Sequence, residues 1–159
     1  MSLTAEIIEN LALLRSSGTG NNLTQERQWL LNQLDDPRLQ EAVATLSIVA
    51  LHTLSALEKG EQTGIELASE LGVTRGGITR AAKKLVQLDL VDPARHPDDQ
   101  KKLFYRLTPA GRKIARQHDK LHEELTEKFE KELTGQYSEQ ELNLINDFLT
   151  KLNKDEAEF

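Results

Sequence analysis

The sequence predicts a mainly α-helical protein in which a winged helix-turn-helix lobe with a β-hairpin wing is flanked by N- and C-terminal dimerisation helices. Three observations predict it. Thr63 and Glu66 form a capping box, Gly72 supplies a helix C-terminal glycine, and Thr74 caps the next helix after only two residues, which reads as helix, tight turn, helix. Leu90-Val91 and Leu103-Phe104-Tyr105-Arg106-Leu107 favour extended structure around a charged segment with two prolines, from Pro93 to Asp99, which reads as a hairpin. Both ends of the chain carry amphipathic helical patterns with no partner within the lobe.

Taken in order, Leu3 to Arg15 is a helix, Gly18 to Asn22 a polar break, and Thr24 the cap of a second helix. Asp36 caps a third, with Pro37 at its first position. Val43, Leu46, Ala50, Leu54 and Leu57 recur at three- and four-residue steps, which carries that helix to about Lys59. In the helix after Thr74, Ile78, Ala81, Ala82 and Leu85 form an inward face. Thr108-Pro109 opens a long helix to about Leu133, with Ile114, His118, Leu121, Leu125 and Phe129 on one stripe. Ser138 and Glu141 cap the last helix, whose seam is Leu142, Ile145, Leu149 and Leu152. The divisions expected are 1–36 for dimerisation, 37–107 for the lobe, and 108–159 for dimerisation. The terminal helices are too apolar on one face to stay exposed, so they pair with a second copy.

The 159 residues hold no cysteine, which rules out disulfides, iron–sulfur clusters and thiolate zinc sites. No apolar run approaches the roughly 20 residues of a membrane span, and the N-terminus lacks a signal peptide, so a cytoplasmic protein is expected. The net charge of −6 is unevenly spread. From Arg75 to Arg116 there are eleven Lys or Arg against four Asp, a local charge of +7 that leaves −13 elsewhere. A basic region on an acidic body is the electrostatic footprint of a protein that reads duplex DNA.

In a winged helix the second helix of the turn enters the major groove and the hairpin reaches a neighbouring groove. Arg75 and Arg80 offer bidentate donors to guanine, and Lys83 and Lys84 suit phosphates. Gly76-Gly77 costs helix stability, about 1 kcal/mol per glycine relative to alanine, which close approach of the backbone to DNA offsets. The candidate contact set is Thr74, Arg75, Gly76, Gly77, Thr79, Arg80, Lys83 and Lys84 on the helix, with Arg95, Gln100, Lys101 and Lys102 on the wing. An isolated basic helix is more often a solvated face. Here turn, helix and hairpin occur together in the required order.

Ile65-Glu66-Leu67-Ala68, Gly72-Val73-Thr74, Ile78-Thr79-Arg80, Leu90-Val91, Pro97-Asp98-Asp99 and Leu107-Thr108-Pro109-Ala110-Gly111 together resemble the MarR family of bacterial transcriptional regulators, from Leu46 to about Leu152. The resemblance implies an obligate homodimer, two winged lobes and a palindromic operator. It departs at the wing, where the family's Asp-x-Arg is Asp99-x-Lys101, which keeps the charge but loses the planar fork.

His118 and His122 stand at i and i+4 on one helix, a spacing that brings two imidazoles within reach of one Zn²⁺, and His52 lies on another helix. Three histidines and a carboxylate make a nitrogen–oxygen shell that zinc accepts without cysteine. The plainer alternative is that His118, on an apolar stripe, is a hydrogen-bonded core histidine. Within the family the chain is most similar to the zinc-responsive repressors of zinc-uptake genes, through Ile78 to Leu85, Phe104 to Thr108 and Phe148-Leu149-Thr150. That resemblance implies that His52, His118 and His122 are the histidine ligands of the primary sensor site. It also implies a fourth ligand from an N-terminal carboxylate, for which Glu26, Asp35, Asp36 and Glu41 are candidates. The relatives' second metal site uses a cysteine and two glutamates; with Leu51 and Gln117 at the glutamate positions, no equivalent is expected. His96, in the wing, is expected as a solvated turn residue or a phosphate contact.

Zinc bridging His52 to His118 and His122 is expected to fix the lobe angle and act as co-repressor, since the two recognition helices must match about one DNA turn, roughly 34 Å. A rival reading is a family member released from DNA by a small phenolic or lipophilic acid. A zinc hydrolase built on His118-Asp119-x-x-His122 is disfavoured because Asp replaces the general-base Glu and no substrate cleft is suggested. The chain is therefore not expected to be an enzyme.

Overall fold

The computed structural model describes residues 2–17 and 21–157. Its elements are α1 (Leu3–Ser17), α2 (Asn21–Gln33), α3 (Pro37–Thr45), α4 (Ile48–Leu57), β1 (Gln62–Thr63), α5 (Gly64–Leu71), α6 (Arg75–Gln87), β2 (Val91–His96), β3 (Asp99–Leu107), α7 (Pro109–Gln136) and α8 (Glu139–Ala157). The chain divides into two compact units, residues 23–121 and residues 1–22 with 122–159.

In the larger unit a three-stranded antiparallel sheet, ordered β1-β3-β2, packs with α2 to α6 and the start of α7. Leu46, Leu51, Leu54, Leu57, Leu67, Ile78, Leu85, Leu90 and Ile114 are all sealed from solvent there. Each contributes about 1.5–3 kcal/mol by leaving water, which holds the short helices that are too brief to be stable alone. Thr108 ties the wing to α7. Its N–H donates to the Leu90 carbonyl (3.1 Å), its hydroxyl donates to the Asp89 carbonyl (2.6 Å), and its oxygen accepts the Gly111 N–H (3.1 Å) as the cap of α7.

Three expectations change. The segment from Pro37 to Lys59 is two helices: Leu46 and Ser47 take extended backbone angles, and the Ser47 side chain caps α4 by accepting the Ala50 N–H at 3.1 Å. The periodicity runs unbroken through that bend because both helices bury their apolar faces in one core, and Arg27 Nη2 satisfies the freed Leu46 carbonyl at 2.7 Å. Helix α2 starts at Asn21, three residues before Thr24; of the expected break, residues 18–20 lie outside the described residues. The hairpin tip is Pro97-Asp98 rather than Pro93 to Asp99, and Pro93 pairs with Tyr105 within β2. Edge position makes this possible, since β2 need not donate from Pro93 to a further strand. The two-residue strand β1, paired with Tyr105 and Phe104, was not legible as a strand.

The smaller unit contains α1, α8 and the later turns of α7. Ile7, Leu142 and Leu149 form its core, with Leu3, Leu11, Leu133 and Ile145 packed against them. A polar ladder lies alongside: the Asn10 amide donates to Asn146 (2.9 Å) and Thr150 (3.2 Å), and the Asn146 amide donates to Glu6 (2.8 Å). Leu144 and Phe148 remain 70% and 62% exposed, and they line an open apolar groove of about 600 Å³ with Ile7, Leu11, Leu133, Ile145 and Leu149.

Candidate metal centre and nucleic-acid interface

Helix α5 is closed at its start by reciprocal hydrogen bonds, Thr63 Oγ1 accepting the Glu66 N–H and Glu66 accepting the Thr63 N–H (2.7 Å). Gly72 ends it in the left-handed region, φ 63°, where a Cβ is disfavoured. Thr74 then caps α6 by accepting the Gly77 N–H at 3.0 Å. The reversal is therefore built from local chemistry. Ile78, Ala81, Ala82 and Leu85 face the core, and Arg75, Thr79, Arg80 and Lys83 are exposed on the opposite side, with Lys84 half-buried beside them. Among the described residues no carboxylate pairs with Arg75, Arg80 or Lys83. The Thr79 hydroxyl already donates to the Arg75 carbonyl (2.9 Å).

The two helix glycines differ. A Cβ at Gly76 meets nothing within 4 Å, so the fold does not require glycine there, whereas at Gly77 it would lie 3.2 Å from the Thr74 capping oxygen. On the wing, Arg95, Gln100, Lys101 and Lys102 are exposed. Arg95 Nη1 donates to the Gln100 carbonyl (2.6 Å), which spends part of its guanidinium on bracing the tip. Lys102 lies 3.6 Å from Asp99. His96 ends β2 rather than lying in the turn, its side chain still 39% exposed: Nε2 meets Glu61 at 2.6 Å and the ring stands edge-on to Phe104, centroids 4.4 Å apart.

Away from this face, α2 supplies Glu26, α4 supplies His52, and successive turns of α7 supply His118 and His122. One ligand atom from each lies within 4.8 Å of those of the others. The other acidic candidates stand elsewhere: Asp36 is occupied as the cap of α3, and Asp35 and Glu41 are exposed outside the group. Glu26 is the one acidic residue of α2, a signal the sequence carried. His118 is 1% exposed, its Nδ1 2.7 Å from Ser55 Oγ and its Nε2 3.5 Å from Glu26 Oε2, with the His52 ring 5.3 Å away between centroids. Three imidazoles and one carboxylate converging around the buried His118, the other three residues half-buried, fit a divalent transition metal, because nitrogen and oxygen donors complete the shell without thiolate. Leu51 is sealed in the apolar core. One turn past Ser55, Glu58 has its pKa raised chiefly by a hydrogen bond with Asp119, then by burial and the Asp119 charge, with Arg116 opposing.

A capped helix-turn-helix, an exposed basic second helix and a paired β-hairpin define a winged helix-turn-helix protein. The MarR family profile matches residues 44–102. The transcriptional regulator AdcR of Streptococcus pneumoniae is 34% identical over 101 residues, 64% of this chain and 68% of its own length. The chain belongs to the MarR family. Alignments with the first curated relatives take in about two thirds of their length, 65% and 68%. Among solved structures, ZitR of Lactococcus lactis, described as a zinc-responsive MarR family member, is 26% identical with a TM-score of 0.62, over 70% of this chain and 76% of that one. A single-substitution mutant of ZitR in complex with DNA is also 26% identical, with a TM-score of 0.63, over 70% and 76%. No described helix is long and apolar enough to cross a membrane.

Proposed function

We propose that the chain is a homodimeric transcriptional repressor that binds a palindromic duplex and takes Zn²⁺ as co-repressor through Glu26, His52, His118 and His122. The observation that carries the metal part is the convergence of those four ligand atoms within 4.8 Å. Residues 37–107 read DNA, and residues 1–36 and 108–159 pair with the second copy. Acting on the genome of a bacterium, the protein works in the cytoplasm.

On this reading α6 lies in the major groove, where Arg75 and Arg80 reach base edges and Lys83 and Lys84 hold phosphates, while Thr74 and the glycines let the helix start approach closely. Arg95, Gln100, Lys101 and Lys102 carry the wing along the neighbouring groove. A bound ion supplies a cross-link among α2, α4 and α7. The residues do the rest: His52 extends from the helix whose cap at Ser47 begins beside the Arg27 anchor, and Glu26 precedes that arginine, so α2 and α4 are held at both the ligands and the bend. Fewer accessible arrangements of the lobe leave less entropy to lose on DNA binding, a coupling free energy between sites.

The test is fluorescence anisotropy on an operator selected from random duplexes, at stated fixed salt, with chelator and then with Zn²⁺. Zinc is expected to tighten binding about tenfold or more, about 1.4 kcal/mol of coupling, and His118→Ala to abolish the gain. Tight binding indifferent to zinc would leave a MarR regulator with another effector, such as a phenolic or lipophilic acid. Failure to select any duplex would remove the DNA-binding reading itself.

A further inference from the structure

We propose that Ser55 is a positioning residue of the metal centre, its hydroxyl holding the His118 ring so that Nε2 is the ligand atom. The inference rests on the metal reading above and names a residue which that reading does not use.

Ser55 lies three residues after His52 on α4, which puts both on one face of that helix, so a single helix presents a ligand and the group that orients a second ligand. Ser55 Oγ stands 2.7 Å from His118 Nδ1. Across the same ring, Nε2 faces Glu26 Oε2 at 3.5 Å. With Nδ1 engaged by the hydroxyl, Nε2 is the nitrogen turned to the other ligands. A metal takes a ring nitrogen with a free lone pair, which requires the proton of neutral imidazole to sit on Nδ1 and be donated from there. A serine hydroxyl can accept that proton because it has two lone pairs and can turn its own hydrogen elsewhere. At 1% exposure His118 has little access to bulk water that could replace the hydroxyl at Nδ1.

A hydroxyl that merely satisfies a buried histidine would matter to stability and leave metal affinity alone. The experiment uses the full-length protein without DNA, with Zn²⁺ alone as probe, its affinity read by competition with a chromogenic chelator. Wild type, Ser55→Ala and Ser55→Thr are compared, with ¹⁵N spectra of His118 in the zinc-loaded wild type and melting curves of the metal-free variants. Ser55→Ala is expected to weaken Zn²⁺ binding by about 10–100-fold with its metal-free melt retained, Ser55→Thr to restore most of the affinity, and His118 to show a protonated Nδ1 and a ligated Nε2. Wild-type affinity in Ser55→Ala, or ligation through Nδ1, would overturn the proposal while leaving the metal centre standing. A wild type that binds no Zn²⁺ would remove the metal reading and Ser55's role with it. If the alanine variant does not fold, ligation through Nδ1 in the wild-type spectra still overturns the proposal, and the affinity of Ser55→Thr still reports on the hydroxyl.

Discussion

Single atoms decide two of the sharpest expectations. Gly111 sits where a Cβ would run into the Leu90 carbonyl, and that carbonyl is fixed by the Thr108 N–H at 3.1 Å. Backbone cannot move aside as a flexible side chain can, so Gly111→Ala is expected to destabilise by at least about 3 kcal/mol, measured by denaturant unfolding. Gly76 is the opposite case, with open space around the missing Cβ. Gly76→Ala is expected to raise stability by about 0.5–1 kcal/mol, because alanine has less backbone freedom to lose in a helix. If the helix start lies against DNA, the same change weakens operator binding, so melting and anisotropy should move in opposite directions. Unchanged affinity would show that the glycine is not there for DNA.

Among elements, α5 depends on its capping box. The Glu66 carboxyl is held below its ordinary value of 4.5, first by the Thr63 backbone N–H and then by the Thr63 hydroxyl. A depressed folded-state pKa means that the stabilisation is present above the unfolded value and is lost as pH falls through the folded one. Glu66→Gln keeps the shape but removes the charge, and its acid limb of stability against pH should be flatter than that of wild type, measured by melting from pH 6 to pH 2. An identical acid limb in the variant would assign the acid loss to other carboxylates, such as Glu141, which Ser138 depresses in the same way at α8. The hairpin shows a different kind of dependence: its tip is braced by Arg95 and its flank by His96 on Glu61, contacts between residues whose sequence signature is only charge.

For the whole molecule the proposed dimer has the greatest consequence, since an operator with two half-sites needs two recognition helices. Leu144 and Phe148 are large, apolar and exposed beside the groove of the smaller unit. Phe148→Asp would put a charge on that face, so if a second copy covers it, analytical ultracentrifugation should show a monomer with its helical content kept. A variant that still sediments as a dimer would place the pairing surface elsewhere.

Much of this was legible from the sequence by itself, wherever the determinant was local. The capping boxes at Thr63 and Ser138, the caps Asp36 and Thr74, the left-handed Gly72 and the inward face of α6 are each set by residues within a few positions of one another, and the structure has them as read. The imidazole spacing of His118 and His122 was fixed in the same way. What needed the tertiary structure was every pairing across long stretches of chain. Strand β1 exists because β3 lies beside it, the bend at Leu46 because Arg27 reaches its carbonyl, and Glu26 rather than Asp35, Asp36 or Glu41 joins the histidines because α2 turns that side toward them. Ser55 had no signal at all, since a serine on a helix face is silent until the ring 63 residues away arrives at its hydroxyl. Helical periodicity reports which face is buried; only packing determines what that face meets.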